Sequence, residues 1–275
     1  MNLWKTITAL FSIVAFFPLP SSSQESHYIE TGFTGCVSTF RDMATSPLYY
    51  TGQMAGYTGG WHAIKEGRER SVQLTYLSGS HTSNFNNTSN ISSFTGIDLL
   101  IRHLYSVGSY HHISAGIGGT ILSTTNMRSN KSLMNNSFGL ENISNLMLSG
   151  KLSADISRNK PGVINLGIFN IRLNPAKRFI SFTLNAGILN FNYRPGYAYN
   201  YLPEVNGVKM NNFKDFKLSL NGYRINTLLS FSRELKNKNI IKASYQYDLY
   251  KAPGRYEPFS HGRHSVRLAL MFNYK

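Results

Sequence analysis

The chain has 275 residues, with 28 Lys and Arg against 13 Asp and Glu, a formal net charge of +15, 13% aromatic residues and one cysteine. Charged residues make up only 15% of it, below the roughly 25% usual for soluble domains, while 41% apolar residues speak against a disordered chain. One cysteine excludes a disulfide scaffold and a Cys-based zinc module, the lack of heptads excludes a coiled coil, and past the N-terminus no run approaches the ~20 apolar residues of a spanning helix.

The N-terminus reads as a secretory signal. Lys5 supplies the positive region, Ile7 to Leu19 the apolar region, and Pro18 and Pro20 break the helix. Ser21 and Ser23 stand three and one positions before Gln24, so cleavage is expected between Ser23 and Gln24. The two expected units are therefore a signal peptide over 1–23 and one domain over 24–275. Cys36, alone in an exported chain, has no partner for an internal disulfide and reads as a small buried hydrophobe.

From there the dominant period is two. Val72, Leu74 and Tyr76 alternate with Ser71, Gln73 and Thr75. Ile113, Ala115, Ile117 and Ile121 alternate with His112, Ser114, Gly116 and Thr120. Leu146, Leu148, Gly150, Leu152, Ala154 and Ile156 alternate with Met147, Ser149, Lys151, Ser153 and Asp155. Near the end, Ile241, Ala243, Tyr245, Tyr247 and Leu249 form one face against Lys242, Ser244, Gln246 and Asp248. In the last strand Val266, Leu268, Leu270, Phe272 and Tyr274 form one face against Arg267, Ala269, Met271 and Asn273.

A secreted β-sandwich gives the same period. Long strands, alternation running to the last residues, and tyrosines at strand ends (Tyr49, Tyr50, Tyr105, Tyr110, Tyr193, Tyr250) favour an antiparallel transmembrane β-barrel, with apolar residues toward lipid and polar ones toward the lumen. Short turns are expected at Lys65–Arg70, Val107–Tyr110, Asn174–Arg178 and Leu235–Lys238. Long loops are expected at Gly79–Ser93, Thr124–Leu133, Arg194–Lys214 and Lys251–Arg263, which are rich in Asn, Ser, Gly and Pro. The threading gives strands near 28–40, 48–63, 70–80, 94–106, 111–123, 134–142, 145–157, 162–173, 178–193, 215–233, 239–250 and 264–275. That is about twelve, with ten as the alternative. Arg158–Pro161 becomes a short outer hairpin, and a change of phase near Gly222 suggests a β-bulge.

The layout resembles the outer-membrane β-barrel proteins of Bacteroidota-type bacteria. The resemblance rests on the Ser-Ser-Ser-Gln cleavage region, on Ser46-Pro47-Leu48-Tyr49-Tyr50-Thr51-Gly52 leading into a Gly-rich strand, and on the aromatic C-terminal strand Val266–Lys275. It implies residence in the outer membrane of a Gram-negative cell, contact with outer-membrane lipid and lipopolysaccharide, and insertion by the barrel assembly machinery. The usual last residue of such a strand is aromatic; here Lys275 follows Tyr274. No catalytic residues carry over.

Candidate lumen-lining residues are Asp98, Arg102, Lys151, Asp155, Arg172, Lys217, Lys242, Asp248 and Arg267. Asp98 stands four residues from Arg102, Asp155 four from Lys151, and Asp248 six from Lys242, so each pair shares a strand face. Two readings follow: a salt-bridged plug, or a cationic lumen that favours anions. Basic residues in the short turns (Lys65, Arg68, Arg70, Lys177, Arg178, Lys236, Lys238) stand where headgroups or water would meet them.

His111-His112, His261 and His264 lack an acidic cluster, so no metal or cofactor is expected. Ser260-His261 and His264-Ser265 are neighbours whose side chains diverge on a strand, and no GxSxG, Walker A or HExxH pattern occurs. Tyr197, Tyr199 and Tyr201 are candidate binding residues of an outer loop. The first functional expectation is a structural or accessory subunit that partners an envelope protein and has no catalysis of its own. The alternatives are a narrow channel for small anionic solutes and an acyl hydrolase. Nucleic acid is not an expected partner.

Overall fold

The computed structural model describes residues 25–85, 88–136, 138–165, 167, 169–173, 175–195, 216–252 and 258–274. The expected signal peptide and Tyr197, Tyr199 and Tyr201 lie outside these residues. The strands are β1 (Ser26–Asp42), β2 (Ser46–Lys65), β3 (Arg68–Phe85), β4 (Thr88–Tyr110), β5 (Ile113–Ser129), β6 (Phe138–Asp155), β7 (Gly162–Asn165), β8 (Asn170–Leu173), β9 (Arg178–Pro195), β10 (Phe216–Ser219), β11 (Tyr223–Glu234), β12 (Ile240–Ala252) and β13 (Phe259–Asn273). A 3-10 helix, Lys131–Asn136, precedes β6.

Antiparallel ladders join β1 through β6 in order, then β9, β11, β12 and β13, which returns to β1; the β6–β9 ladder closes the ring. β10 and β11 keep one register against β9, with Ser219 opposite Asn192 and Ile225 opposite Ala186. They form one wall position interrupted at 220–222, where Gly222 adopts φ 108°. The barrel therefore has ten strands.

This settles the count at the lower of the two expected values. The expected strands 134–142 and 145–157 are a single strand, β6. The expected strand 162–173 is no part of the wall: β7 and β8 form a separate two-stranded hairpin beyond the end of β6. Arg158–Pro161 is accordingly no outer hairpin but lies on the way into β7, at the end of the barrel where β1 begins and β13 ends.

Stagger fixes the shape. Asp155 pairs with Phe179, Ser232, Lys242, Ala269, Gly32, Thr58, Thr75, Asp98 and Thr124 in succession, and the path re-enters β6 at Ile143, twelve residues from its start. Ten strands with that shear imply a tilt of ~40° and a backbone radius of ~10 Å. Side chains from opposite walls can then meet on the axis.

The outer wall has two zones. Near the terminal end, Ile29, Phe33, Leu74, Tyr76, Ile113, Ile117, Leu148, Leu152, Val266, Leu268 and Phe272 all face outward and are exposed. This belt is about nine residues tall along each strand, the height of a tilted span. Toward the distal end the same faces carry Ser78, Ser80, Thr82, Ser93, Thr95, Ser123, Thr125, Asn142 and Ser144. Ser123, Ser144, Asn142 and Thr125 hydrogen-bond to one another across β5 and β6 at 2.8–3.1 Å.

The loop expectations at Gly79–Ser93 and Thr124–Leu133 are corrected here. β3 runs to Phe85, which pairs with Thr88, and β5 runs to Ser129. Hydroxyl and amide side chains suit a strand whose outer face is wet as well as they suit a loop. Lys251–Arg263 likewise shortens to the gap between Ala252 and Phe259. At the terminal end β2 and β3 meet at Glu66 and Gly67, and β4 and β5 at His111 and His112, three residues later than the expected Val107–Tyr110 turn.

Where Gly56 faces the lumen, a Cβ atom would stand 1.8 Å from the Tyr76 carbonyl oxygen, so β2 and β3 approach there only without a side chain. Gly150, on the outer face, has nothing within 4 Å of the same position. Gly56→Ala should cost at least about 2 kcal/mol in urea unfolding of the refolded protein, whereas Gly150→Ala should change stability by less than about 0.5 kcal/mol. Equal midpoints for the two variants would contradict this packing.

Candidate functional site in the barrel lumen

The inner face holds charged groups at three levels. At the terminal end Glu30 of β1 lies at the centre. His62 Nε2 is 2.5 Å from its Oε2, Gln73 donates to the same oxygen at 2.9 Å, Lys242 Nζ is 3.5 Å away, and Arg267 Nη1 is 3.6 Å from Oε1. Beside it Glu69 is paired with Lys151 and, at 3.4 Å, with Arg102.

At mid-height Arg224 grips Asp248 with two donors, Nη2 to Oδ2 at 2.6 Å and Nε to Oδ1 at 3.0 Å. A planar guanidinium matches a carboxylate in this bidentate way. Its remaining donors reach Asn145 Oδ1 at 3.1 Å and Thr124 Oγ1 at 2.8 Å. Arg263 bridges Asp98 at 2.5 Å and Asp248 at 3.4 Å, and Thr124 donates to Asp98 at 2.7 Å.

At the distal level Asp42 and Glu141 alternate with Arg128 and Arg194 in a closed square. Arg128 Nη2 donates to Asp42 at 2.7 Å and Glu141 at 3.2 Å, while Arg194 donates to the same two carboxylates at 3.0 and 3.2 Å. Both guanidinium groups stack on the Phe259 ring, at 4.8 and 5.0 Å. Phe40 stacks on Tyr50 at 5.3 Å and packs against Phe94 at 5.4 Å, forming an aromatic layer below the square.

These groups are dry. Arg224 and Thr124 are 0% exposed, Glu30, Glu141 and Asp248 1%, and Asp42 2%. A pore wide enough for water would leave accessible surface on the side chains lining it; the mid-height and distal levels have almost none, whereas at the terminal level the Glu69 and Lys151 side chains keep 21% and 22%. The depression at the distal mouth, lined by Phe40, Tyr50, Ser92, Arg128 and Leu133 among others, has room for about one water molecule.

Of the candidate lumen residues, Asp98, Arg102, Lys151, Lys242, Asp248 and Arg267 face inward and meet in these clusters. The charges that share a strand face take their partners from other strands. Asp98 meets Arg263 instead of Arg102, Lys151 meets Glu69 instead of Asp155, and Lys242 meets Glu30 instead of Asp248. Four residues along a strand span ~13 Å, beyond the reach of an ion pair, whereas a neighbouring strand is ~5 Å away.

Asp155 is exposed at the terminal rim, where the Ser157 hydroxyl and backbone N–H hold its carboxyl below the usual carboxylate range. Arg172 is no lumen residue, because β8 lies outside the wall. Lys217 lies in β10, opposite Arg194; its side chain is outside what the structure describes.

Glu30, Asp42, Glu69, Arg128, Glu141, Arg194, Arg224 and Arg263 were not singled out from the sequence. Arg263 shares parity with Arg267 on β13, a signal that was available. Asp42, Arg128 and Arg194 stand at strand ends above the apolar belt, where loop was expected. His261 and Ser265 face inward while Ser260 and His264 face outward, so the neighbouring Ser-His pairs diverge as the strand period dictates. On the outer wall His264 Nδ1 lies 2.6 Å from the Tyr245 hydroxyl.

A closed antiparallel barrel with an apolar outer belt and a polar inside satisfies every ladder group internally while presenting hydrocarbon to hydrocarbon. The protein has the build of an integral membrane β-barrel. No protein-family model and no curated protein matches the sequence. Among solved structures, the chain is similar to the transport unit of the autotransporter AIDA-I from Escherichia coli, at 9% identity, with 98% of this chain and 97% of that chain covered and a TM-score of 0.43. It is similar to the translocator domain of the autotransporter NalP from Neisseria meningitidis, at 9% identity, 98% and 94% coverage and a TM-score of 0.37. It is also similar to the toluene transporter TodX from Pseudomonas putida, at 9% identity, 96% and 93% coverage and a TM-score of 0.32.

Removing one member of the mid-height cluster leaves buried charge without its counter-ion. Asp248→Ala strands Arg224, while Arg263 keeps Asp98, and should destabilise the refolded barrel by about 3–5 kcal/mol. Lys236→Gln, in an exposed turn, should lie within about 0.5 kcal/mol of wild type in the same urea titration. An Asp248→Ala barrel as stable as wild type would mean that water reaches this level.

Proposed function

We propose that the protein is a closed outer-membrane barrel of the Bacteroidota type that acts as a structural or accessory subunit of an envelope complex, without catalysis of its own. One observation carries this reading: charged and polar side chains fill the lumen at three successive levels, and the mid-height and distal levels are almost free of solvent-accessible surface. A barrel filled in this way offers its partners its outer wall, its rims and its loops. The motifs at 46–52 and 266–275 support the taxonomic part of the proposal, and Phe272 and Tyr274 at the edge of β13 suit the assembly machinery.

The channel reading would require all three levels to open together. Single-channel recording in a planar bilayer separates the two. The refolded protein, with insertion checked by heat-modifiable gel mobility, should give no steady conductance. A variant lacking the distal square, with Asp42, Glu141, Arg128 and Arg194 all changed to Ala, should remain silent, because the other two levels still fill the lumen. Steady anion-selective openings of the wild-type protein would overturn the proposal in favour of a channel.

A further inference from the structure

Charge balances at two levels of the lumen and not at the third. The distal square sets Asp42 and Glu141 against Arg128 and Arg194, and at mid-height Asp98 and Asp248 face Arg224 and Arg263. At the terminal level Arg102, Lys151, Lys242 and Arg267 share only Glu30 and Glu69. With histidine counted as neutral, four cations against two carboxylates leave two positive charges in excess among the described residues of this level. Arg102 shows the imbalance directly. It is 4% exposed, its Nη2 lies 3.4 Å from Glu69, and its Nε and Nη1 find no acceptor. A buried guanidinium with two unused donors is unfavourable, and a low-dielectric wall concentrates the field of its charge.

This is also the level that solution reaches. The Glu69 and Lys151 side chains keep 21% and 22% of their surface. β5 runs between Arg102 of β4 and Lys151 of β6, with Thr120 opposite Arg102 and Gly116 opposite Lys151. Its inner face there presents Gly116 and Gly118, both half-buried, so no side chain from β5 covers Lys151. Nearer the terminal mouth, Ser114 on the same face is exposed. Above, Arg224 and Asp248, 0% and 1% exposed, close the lumen.

We propose that this recess is a blind binding site for one small divalent oxyanion of the phosphate class, which enters from the terminal mouth and is held by Arg102 and Lys151. A dianion cancels the two charges in excess. The guanidinium fork matches two oxygens of a tetrahedral oxyanion, and the lysine adds a point charge. Lys242 and Arg267 strengthen the field from the far side of Glu30. Glu69, bound to both Arg102 and Lys151, is the tethered competitor that the anion displaces. The site is closed above, so it retains an anion without conducting it, and it is independent of the accessory role.

Equilibrium dialysis of radiolabelled inorganic phosphate tests this, with the refolded barrel in zwitterionic detergent at pH 8 and fixed ionic strength. Saturable uptake of one phosphate per barrel is expected, displaced by sulfate but not by the same concentration of chloride. Arg102→Gln and Lys151→Gln should each weaken it at least about tenfold. Glu69→Gln should tighten it, and Lys236→Gln, in an exposed turn at the same end, should leave it unchanged. A purely structural role for Arg102 predicts a different stability. Without phosphate, Arg102→Gln should unfold at a urea midpoint no lower than wild type, because it removes charge in excess. Phosphate should raise the midpoint of wild type and not of the variant. Should Arg102→Gln lack the heat-modifiable mobility of a folded barrel, Lys151→Gln decides the binding test. No saturable uptake by the wild-type barrel would overturn the proposal. So would uptake that neither Arg102→Gln nor Lys151→Gln weakens, which would place the anion elsewhere on the protein.

Discussion

A carboxylate inside a dry barrel must be met by cations, and every other feature of this lumen follows from that constraint. Moving an ion out of water costs several kcal/mol even after relaxation, and only close, well-directed partners offset it. Here each carboxylate at the three levels is reached by at least one guanidinium or ammonium group. The partners come from different strands, so the charges tie the wall together across the axis. Ten strands with a stagger of twelve make this geometry available, because a radius of ~10 Å lets an arginine reach the far side. A wider barrel would leave the same residues lining water.

Polar residues on the two faces of the wall do different work. Inside, threonine, asparagine and glutamine complete the shells of the ions, as Thr124 does for both Asp98 and Arg224. Outside and above the belt, serine and threonine present a wet, uncharged surface where β3 to β6 rise past the membrane. The strands are therefore longer than a bilayer requires, and the distal square of Asp42, Arg128, Glu141 and Arg194 lies within this raised part. Phe40 and Phe259 pack against its guanidinium groups, and Asn126 links Glu141 to Tyr250, whose ring lies against Arg224 of the mid-height cluster.

Much of the architecture was legible in the sequence. The alternation over 264–275 matches β13, and that over 145–157 matches the lower part of β6. Closure into a barrel followed from strand length and the aromatic last strand. The misreadings have physical causes. Asn142, Ser144 and Asn145 looked like a break between strands, yet they belong to a strand that is wet outside and polar inside. The segment 162–173 is apolar enough for a wall strand, but it folds back on itself, with Asn165 opposite Asn170. The lumen site was half legible. Parity on one strand identified inward charges such as Lys242 and Arg267, but their partners are set by register between strands that are distant in sequence. Parity also fails across irregularities. On β9 the register shift at Met147 and Gly187 brings Asn185 and Asn190 to the same side although one number is odd and the other even.

The central claim is that the lumen excludes water, and the chain carries its own probe. Cys36, the single cysteine, faces inward on β1, opposite Met54 and Ser265, and is 7% exposed. A charged methanethiosulfonate reagent should label it in the refolded barrel on the order of a hundredfold more slowly than in the urea-unfolded chain, because reaction must wait for opening. Labelling of the folded protein at nearly the unfolded rate would contradict a closed lumen.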